Sequence, residues 1–303
     1  MQTYGKAATT IFALTMLSAC GGGGGGTAAP SAPVVTTSFE TWRTDLAGKT
    51  IQVNGEGQQV AYTWANKITS VSATTDTSAS GVFVFDANST LTGLYLNSGG
   101  TTTGFTTGQI AALAADADFV VAENFSSRAI VSNPKSLAWD YQSFGVWETG
   151  LDSDRGSYGA VSLGAPTAGT AIPGSGTATF TGKVVGSYVS TGGIGHTVLA
   201  DLDVLADWSD QSLALTTSNT RTSIDGTAFS LASGLDMSSQ TLTYSAGTNA
   251  FTGTLTTSNG QLSGDTNGKF YGPGAEELGG TFFLRGSGVE TYSGAYGARI
   301  TTP

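Results

Sequence analysis

One cysteine and one histidine in 303 residues leave several kinds of chemistry without their usual side chains. A lone Cys cannot form a disulfide within the chain, and it cannot supply the ligand set of a structural zinc site. His196 is the sole imidazole and no G-x-S-x-G occurs, so neither a zinc hydrolase nor a serine hydrolase finds its parts. Only carboxylate chemistry would remain for an enzyme, and the chain reads as a non-enzyme. Basic residues are scarce as well: 12 Lys+Arg against 22 Asp+Glu give a formal net charge of −10. That balance repels phosphate backbones and excludes nucleic acid as a partner. The longest apolar run falls short of the roughly 20 residues a membrane-spanning helix needs.

What is there begins with an export signal. Met1 to Lys6 is a short segment ending in a positive charge, and Ala7 to Ala19 is an apolar stretch too short to span a bilayer. It closes on Leu17-Ser18-Ala19-Cys20, which resembles the bacterial lipobox and marks Cys20 as the lipidated first residue of the mature protein. Each buried lipid methylene contributes about 0.8 kcal/mol, so several chains anchor a protein without spanning the membrane. Residues 1–19 are thus read as the lipoprotein signal peptide and 20–33 as a tether opening on six glycines. A Gly-rich coil of this length reaches roughly 25 Å. Gly21 stands where an Asp would suggest inner-membrane retention, which points to the outer membrane and to exposure at the cell surface. Lys6 leaves with the signal peptide, and the mature charge becomes −11.

Beyond the tether, β-branched and aromatic residues alternate with polar ones between Gly, Asn, Asp and Ser turns. From Thr197 to Trp208, Val198, Ala200, Leu202, Val204, Ala206 and Trp208 share one face while Asp201, Asp203 and Asp207 share the other, a half-buried strand with an acidic solvent face. Residues 164–176, with two prolines and four glycines, separate a mixed region from a strand-dense one. The expectation is an all-β protein: a mixed β handle over 34–165, then an eight-stranded antiparallel β-barrel over 166–303. Barrel strands are expected at 177–189, 196–208, 211–217, 224–231, 240–245, 250–257, 260–271 and 280–285, with 290–300 as a further one. Eight strands close a barrel whose interior side chains fill, or one small ligand occupies. Two segments read as helix, 107–115 and 39–46.

"FYGPGAEELGGTF", Phe270 to Phe282, closely resembles the signature of the barrel domains of transferrin-binding protein B and its relatives, surface-displayed lipoproteins of Gram-negative bacteria. "GSGTATFTGKVVGSYV" (174–189) resembles the first barrel strand of that family, and "YQSFGVWETG" (141–150) the segment closing the handle. The chain has room for one handle-plus-barrel lobe. The resemblance implies non-covalent binding in iron or haem acquisition, or capture of a host or environmental iron or haem protein. It also implies a TonB-dependent receptor and a surface-export machine as partners. The alternative is a structural or adhesive outer-membrane lipoprotein with no small-molecule ligand.

Within the signature, Gly272, Pro273, Glu276, Glu277, Gly279 and Gly280 are read as architecture. Adjacent carboxylates on a helical turn point about 100° apart and make a poor acid/base pair. Pro273 and the glutamates suit a first helical turn, and Gly279-Gly280 can stop it, so a capped helical turn with Leu278 pinned to the core is expected. His196, in "GGIGHTVL", is either an exposed turn residue or an axial haem ligand, a role one imidazole suffices for. Tyr141, Phe144, Trp147 and Tyr158 fall between the two domains. They pack handle on barrel or, if exposed, make a binding patch, with Tyr141 and Trp147 as its candidates. "LDSDRGSYG" (151–159) starts like a calcium loop but lacks the closing Glu.

Overall fold

Alternating apolar and polar side chains oblige the chain to form sheets with one buried face, and two such sheets account for nearly all of it. The computed structural model describes residues 34–36, 46–72, 74–239 and 241–302. The signal peptide, Cys20, the glycine tether and all but Leu46 of the expected helix at 39–46 lie outside the described residues.

The handle sheet contains β1 (Val34–Thr36), β2 (Thr50–Trp64), β3 (Ile68–Val71), β4 (Thr75–Phe85), β5 (Leu91–Ser98), β6 (Thr101–Thr106), β7 (Ile110–Ala112), β8 (Phe119–Glu123), β9 (Ser127–Ser132), β10 (Gln142–Thr149) and β11 (Arg155–Gly164). Its order is β6-β5-β4-β2-β11-β10-β9-β8-β7, with β1 and β3 both paired to β2. The sheet curls until it is nearly closed around Val53, Phe83, Leu94, Phe105, Val131 and Trp147.

The second sheet contains β12 (Thr177–Val189), β13 (Gly195–Asp207), β14 (Ser212–Ser223), β15 (Ser230–Leu231), β16 (Met237–Ser239), β17 (Leu242–Tyr244), β18 (Ala250–Thr257), β19 (Ser263–Tyr271), β20 (Glu277–Arg285) and β21 (Thr291–Thr302). It closes on itself. β13 pairs with both β12 and β14, β12 returns to β21, and β16 and β17 together fill one wall position between β14 and β18. The result is an eight-stranded antiparallel barrel without a free edge, its bore filled by side chains such as Phe180, Leu202, Phe251, Phe270, Phe282 and Tyr292.

Three local expectations fail for identifiable reasons. The segment expected as helix at 107–115 is a turn at Gly108, whose φ is +91°, followed by β7 paired to β8. A helix this short is marginal alone, and a waiting strand edge wins. Residues 224–231 form a loop that ends in the two-residue β15, because Asp225 accepts backbone N–H bonds from Thr227 and Ala228 and Gly226 adopts φ +74°. The wall position expected there is taken by β16 and β17 instead. The signature segment is no helical turn either. β19 runs to Tyr271, the chain reverses through Gly272 (φ +93°) and Ala275 (φ +64°), and β20 starts at Glu277. Glu276 folds back to accept the Gly274 N–H at 2.8 Å.

The handle lies across the outside of the barrel, which explains why β20 is buried on both faces from Glu277 to Leu284. Gln142 donates to the carbonyls of Leu278 (2.6 Å) and Ala298 (3.2 Å), Ser162 meets the Tyr271 hydroxyl (2.8 Å) and Tyr158 meets Thr291 (2.8 Å). Lys183 of the barrel reaches Asp116 of the handle at 3.3 Å and Asp201 at 3.0 Å, giving that acidic strand face a partner. The paired glycines of the signature serve opposite sides of this wall. A Cβ on Gly279 would strike the Gln142 side chain, and one on Gly280 would strike Tyr296 in the bore. Gly279→Val should therefore displace Gln142 and cost about 1–3 kcal/mol, seen as a lower urea midpoint with an unchanged slope.

Candidate binding surface

Antiparallel closure sorts the barrel loops to two ends. The connections at 190–194, 224–236, 258–262 and 286–290 share one end, while 208–211, 245–249 and 272–276 share the other. Handle turns join the first end: the Ile68 N–H donates to the Gly193 carbonyl at 2.9 Å, and Leu151 donates to Ser126 at 3.1 Å. The Arg128 guanidinium packs against Gly226 of the barrel.

Eight large apolar side chains are exposed among the described residues, and six of them, Trp64, Phe125, Leu151, Ile194, Ile224 and Leu231, belong to these turns and strand ends. Phe125 is 86 % and Ile224 70 % exposed. Scattered apolar residues on a surface need no explanation, but a cluster drawn from both sheets at one end marks a contact surface.

At its centre lies a pocket of about 380 Å³ between handle and barrel. Tyr62 and Tyr158 stand 6.0 Å apart on the handle side, and Tyr188 and His196 stand 5.6 Å apart on the barrel side. Trp64, Leu151, Ile194 and Ile224 line it as well, together with Arg128 and Glu148. The phenols are tied down: Tyr62 donates to the Thr149 carbonyl (3.0 Å) and Tyr188 to Glu290 (2.9 Å). Burial, followed by the Glu290 carboxylate, pushes the Tyr188 hydroxyl up to about 12. Burial lowers the pKa of His196, which keeps its imidazole neutral at pH 7. Burial also raises the Glu148 carboxyl, against the neighbouring Tyr62 hydroxyl and the charge of Arg128.

The residues singled out from the sequence do not converge. His196 is half-buried in this pocket wall. Tyr141 is half-buried at the opposite end, where its N–H donates to Glu277. Trp147, 2 % exposed, is enclosed in the handle core and cannot meet a ligand, because its strand turns that face inward. Phe144 and Tyr158 pack at the handle–barrel contact, where Tyr158 also walls the pocket, so the four aromatics form no single exposed patch. Glu277 is fully buried and accepts N–H bonds from Asp140 (2.7 Å) and Tyr141 (3.1 Å). The described residues hold no group of His, Cys, Asp and Glu placed to bind a metal. Sequence reasoning passed over the exposed rim. Its one legible signal was "GGIG", an Ile set among turn glycines where no core would want it.

The arrangement defines a class first: a handle sheet laid on a closed eight-stranded barrel, with a loop-built apolar surface at one end. Residues 172–300 match the model of the family described as the C-lobe and N-lobe beta barrels of Tf-binding protein B. The barrel belongs to that family, and the match does not extend into the handle. Among solved structures, the chain is similar to a transferrin-binding protein B mutant from Haemophilus parasuis, at 12% identity over 88% of this chain and 77% of that one, with a TM-score of 0.45. It is also similar to the isotype 1 protein from serogroup B Neisseria meningitidis, at 16% identity over 75% of this chain and 52% of that one (TM-score 0.43). A structure described as a surface lipoprotein matches at 13% identity over 81% of this chain and 98% of that one (TM-score 0.39). Comparison with curated proteins finds no match.

Proposed function

We propose that this protein is a surface lipoprotein of the outer membrane, anchored through Cys20, that captures a protein non-covalently at the loop end of its single lobe. The observation that carries the reading is the gathering of four exposed apolar side chains, Trp64 and Leu151 from the handle and Ile194 and Ile224 from the barrel, around one pocket. Aromatic and aliphatic anchors in such a setting dominate binding energy. Membership of the barrel in the transferrin-binding family supports host-protein capture in the service of iron or haem acquisition. A TonB-dependent receptor would then take over the cargo, and a surface-export machine would deliver the lipoprotein.

The test immobilises the full-length chain and titrates defined iron and haem proteins, transferrin and haemoglobin among them. A saturable binder should lose at least about tenfold in affinity with Trp64→Ala or Ile224→Asp, as for residues each worth over about 1.4 kcal/mol. Leu205→Asp, an exposed position on the barrel wall, should change nothing. Equal weakening by all three, or by none, rejects the loop end as the binding surface.

Haem is the competing occupant, favoured by one observation: the neutral, half-buried His196 in the pocket wall. Haemin titration decides it, since a Soret shift that His196→Ala abolishes would make this imidazole an axial ligand.

A further inference from the structure

The pocket at the loop end carries a chemical preference of its own. Four aromatic or heteroaromatic rings, Tyr62, Tyr158, Tyr188 and His196, wall it in two tilted pairs, and Trp64 lines it as well. A carboxylate, Glu148, lines the same cavity. Ring faces carry negative potential and attract ammonium and guanidinium groups, and an enclosed carboxylate strengthens that attraction. Among the described residues Glu148 has no cation within 4 Å; Arg128, whose charge favours the carboxylate from further off, lies against Glu123 at 3.4 Å and the Thr197 hydroxyl at 3.5 Å. The Tyr62 phenol beside Glu148 gives its proton to the Thr149 carbonyl, and burial disfavours the charge of the carboxylate. A carboxylate in that state gains when a cation arrives.

We propose that this pocket receives a lysine or arginine side chain presented by the partner protein, with Glu148 as its counter-charge and the rings as its walls. The proposal rests on the reading of the loop end as the docking surface. It adds that the partner meets this end through a basic patch, in keeping with a chain of net charge −10. The exposed apolar side chains around the mouth would exclude water from the ion pair formed inside. A long side chain suits the shape, since its methylenes can lie along the rings while its charged head reaches the carboxylate.

The experiment uses the full-length chain and Nα-acetyl-lysine-N-methylamide as probe, with Nα-acetyl-arginine-N-methylamide in a second arm and the neutral Nα-acetyl-norleucine-N-methylamide as control. Trp64 is the exposed tryptophan among the described residues, while Trp139, Trp147 and Trp208 are buried, so emission changes report on the pocket mouth. Saturable binding of at least one cationic probe, absent for the norleucine probe, is expected. Glu148→Gln, nearly isosteric, should weaken it about tenfold or more, the value of one charge-assisted contact. Tyr188→Leu serves as a second variant should the first fold poorly, and weakened binding is expected there as well.

Absence of saturable binding by both cationic probes overturns the proposal, as does equal binding of the norleucine probe or indifference to both variants. Probe binding that depends on Glu148, combined with partner capture untouched by Trp64→Ala and Ile224→Asp, would reject the docking surface while leaving the cation pocket standing. Partner capture lost in those variants without any probe binding would do the reverse.

Discussion

Phe270→Ala should lower stability by about 3–5 kcal/mol, the cost of a large cavity in a close-packed core. Phe270 is fully buried, with ring centroids of Trp208, Phe251 and Tyr244 at 5.3, 5.3 and 5.5 Å. Removing it deletes the shared partner of three rings at one end of the bore. Those rings cannot close the gap, since Tyr244 and Phe251 sit on β17 and β18 and Trp208 directly follows β13, in a closed wall whose spacing the hydrogen-bond ladders set. Urea unfolding followed by tryptophan emission measures the loss. A change under about 1 kcal/mol would mean that the barrel end repacks freely and that these rings are not held as described.

The second large effect is a pH dependence that Glu277 imposes. Burial pushes its carboxyl up to about 7 from an ordinary 4.5, even though the N–H groups of Asp140 and Tyr141 and the charge of Arg299 favour the carboxylate. With the folded-state pKa above the unfolded one, the folded protein holds its proton longer. This group's contribution is therefore greatest below pH 4.5 and declines as pH rises through 7. The decline amounts to at most about 3 kcal/mol, at 1.36 kcal/mol per pKa unit. Glu277→Gln removes the titration while leaving a carbonyl oxygen to accept one of the two N–H bonds. The difference in unfolding free energy between wild type and variant should therefore shrink or reverse between pH 4.5 and 7.5. A difference that stays flat across this range would show that the carboxyl is not raised. At the seam, the same residue joins the start of β20 to the chain entering β10.

Much of this architecture was legible in advance. The alternation from Thr197 to Trp208 is realised in β13, with Val198, Ala200, Leu202, Val204 and Ala206 buried in the barrel. Local period-two patterns mark strands because a pleated strand has no other way to present one apolar face. The signature "FYGPGAEELGG" identified the barrel family from a few residues, and its glycines now have reasons in the two faces of one wall.

Other elements were misread because local pattern and tertiary demand parted company. "TGQIAALAA" carries helix formers, yet a strand edge at β8 was available and took Ile110 to Ala112 as a partner. Pro273 and two glutamates suit a helix start, yet two left-handed residues and the pull of β19 on β20 made a tight reversal. Trp147 sat in a segment that suggested an interface, and a single step of strand register placed it inside the handle.

By itself, then, the order of residues determined the sheet-forming character, because that is written in short-range periodicity, while the family of the barrel was carried by the resemblance of residues 270–282 to a known signature. Only the tertiary structure decided where Trp64, Leu151, Ile194 and Ile224 would meet. They come from four turns and strand ends spread over 160 residues of sequence, and no local pattern records which turns an antiparallel barrel and its handle bring to the same end.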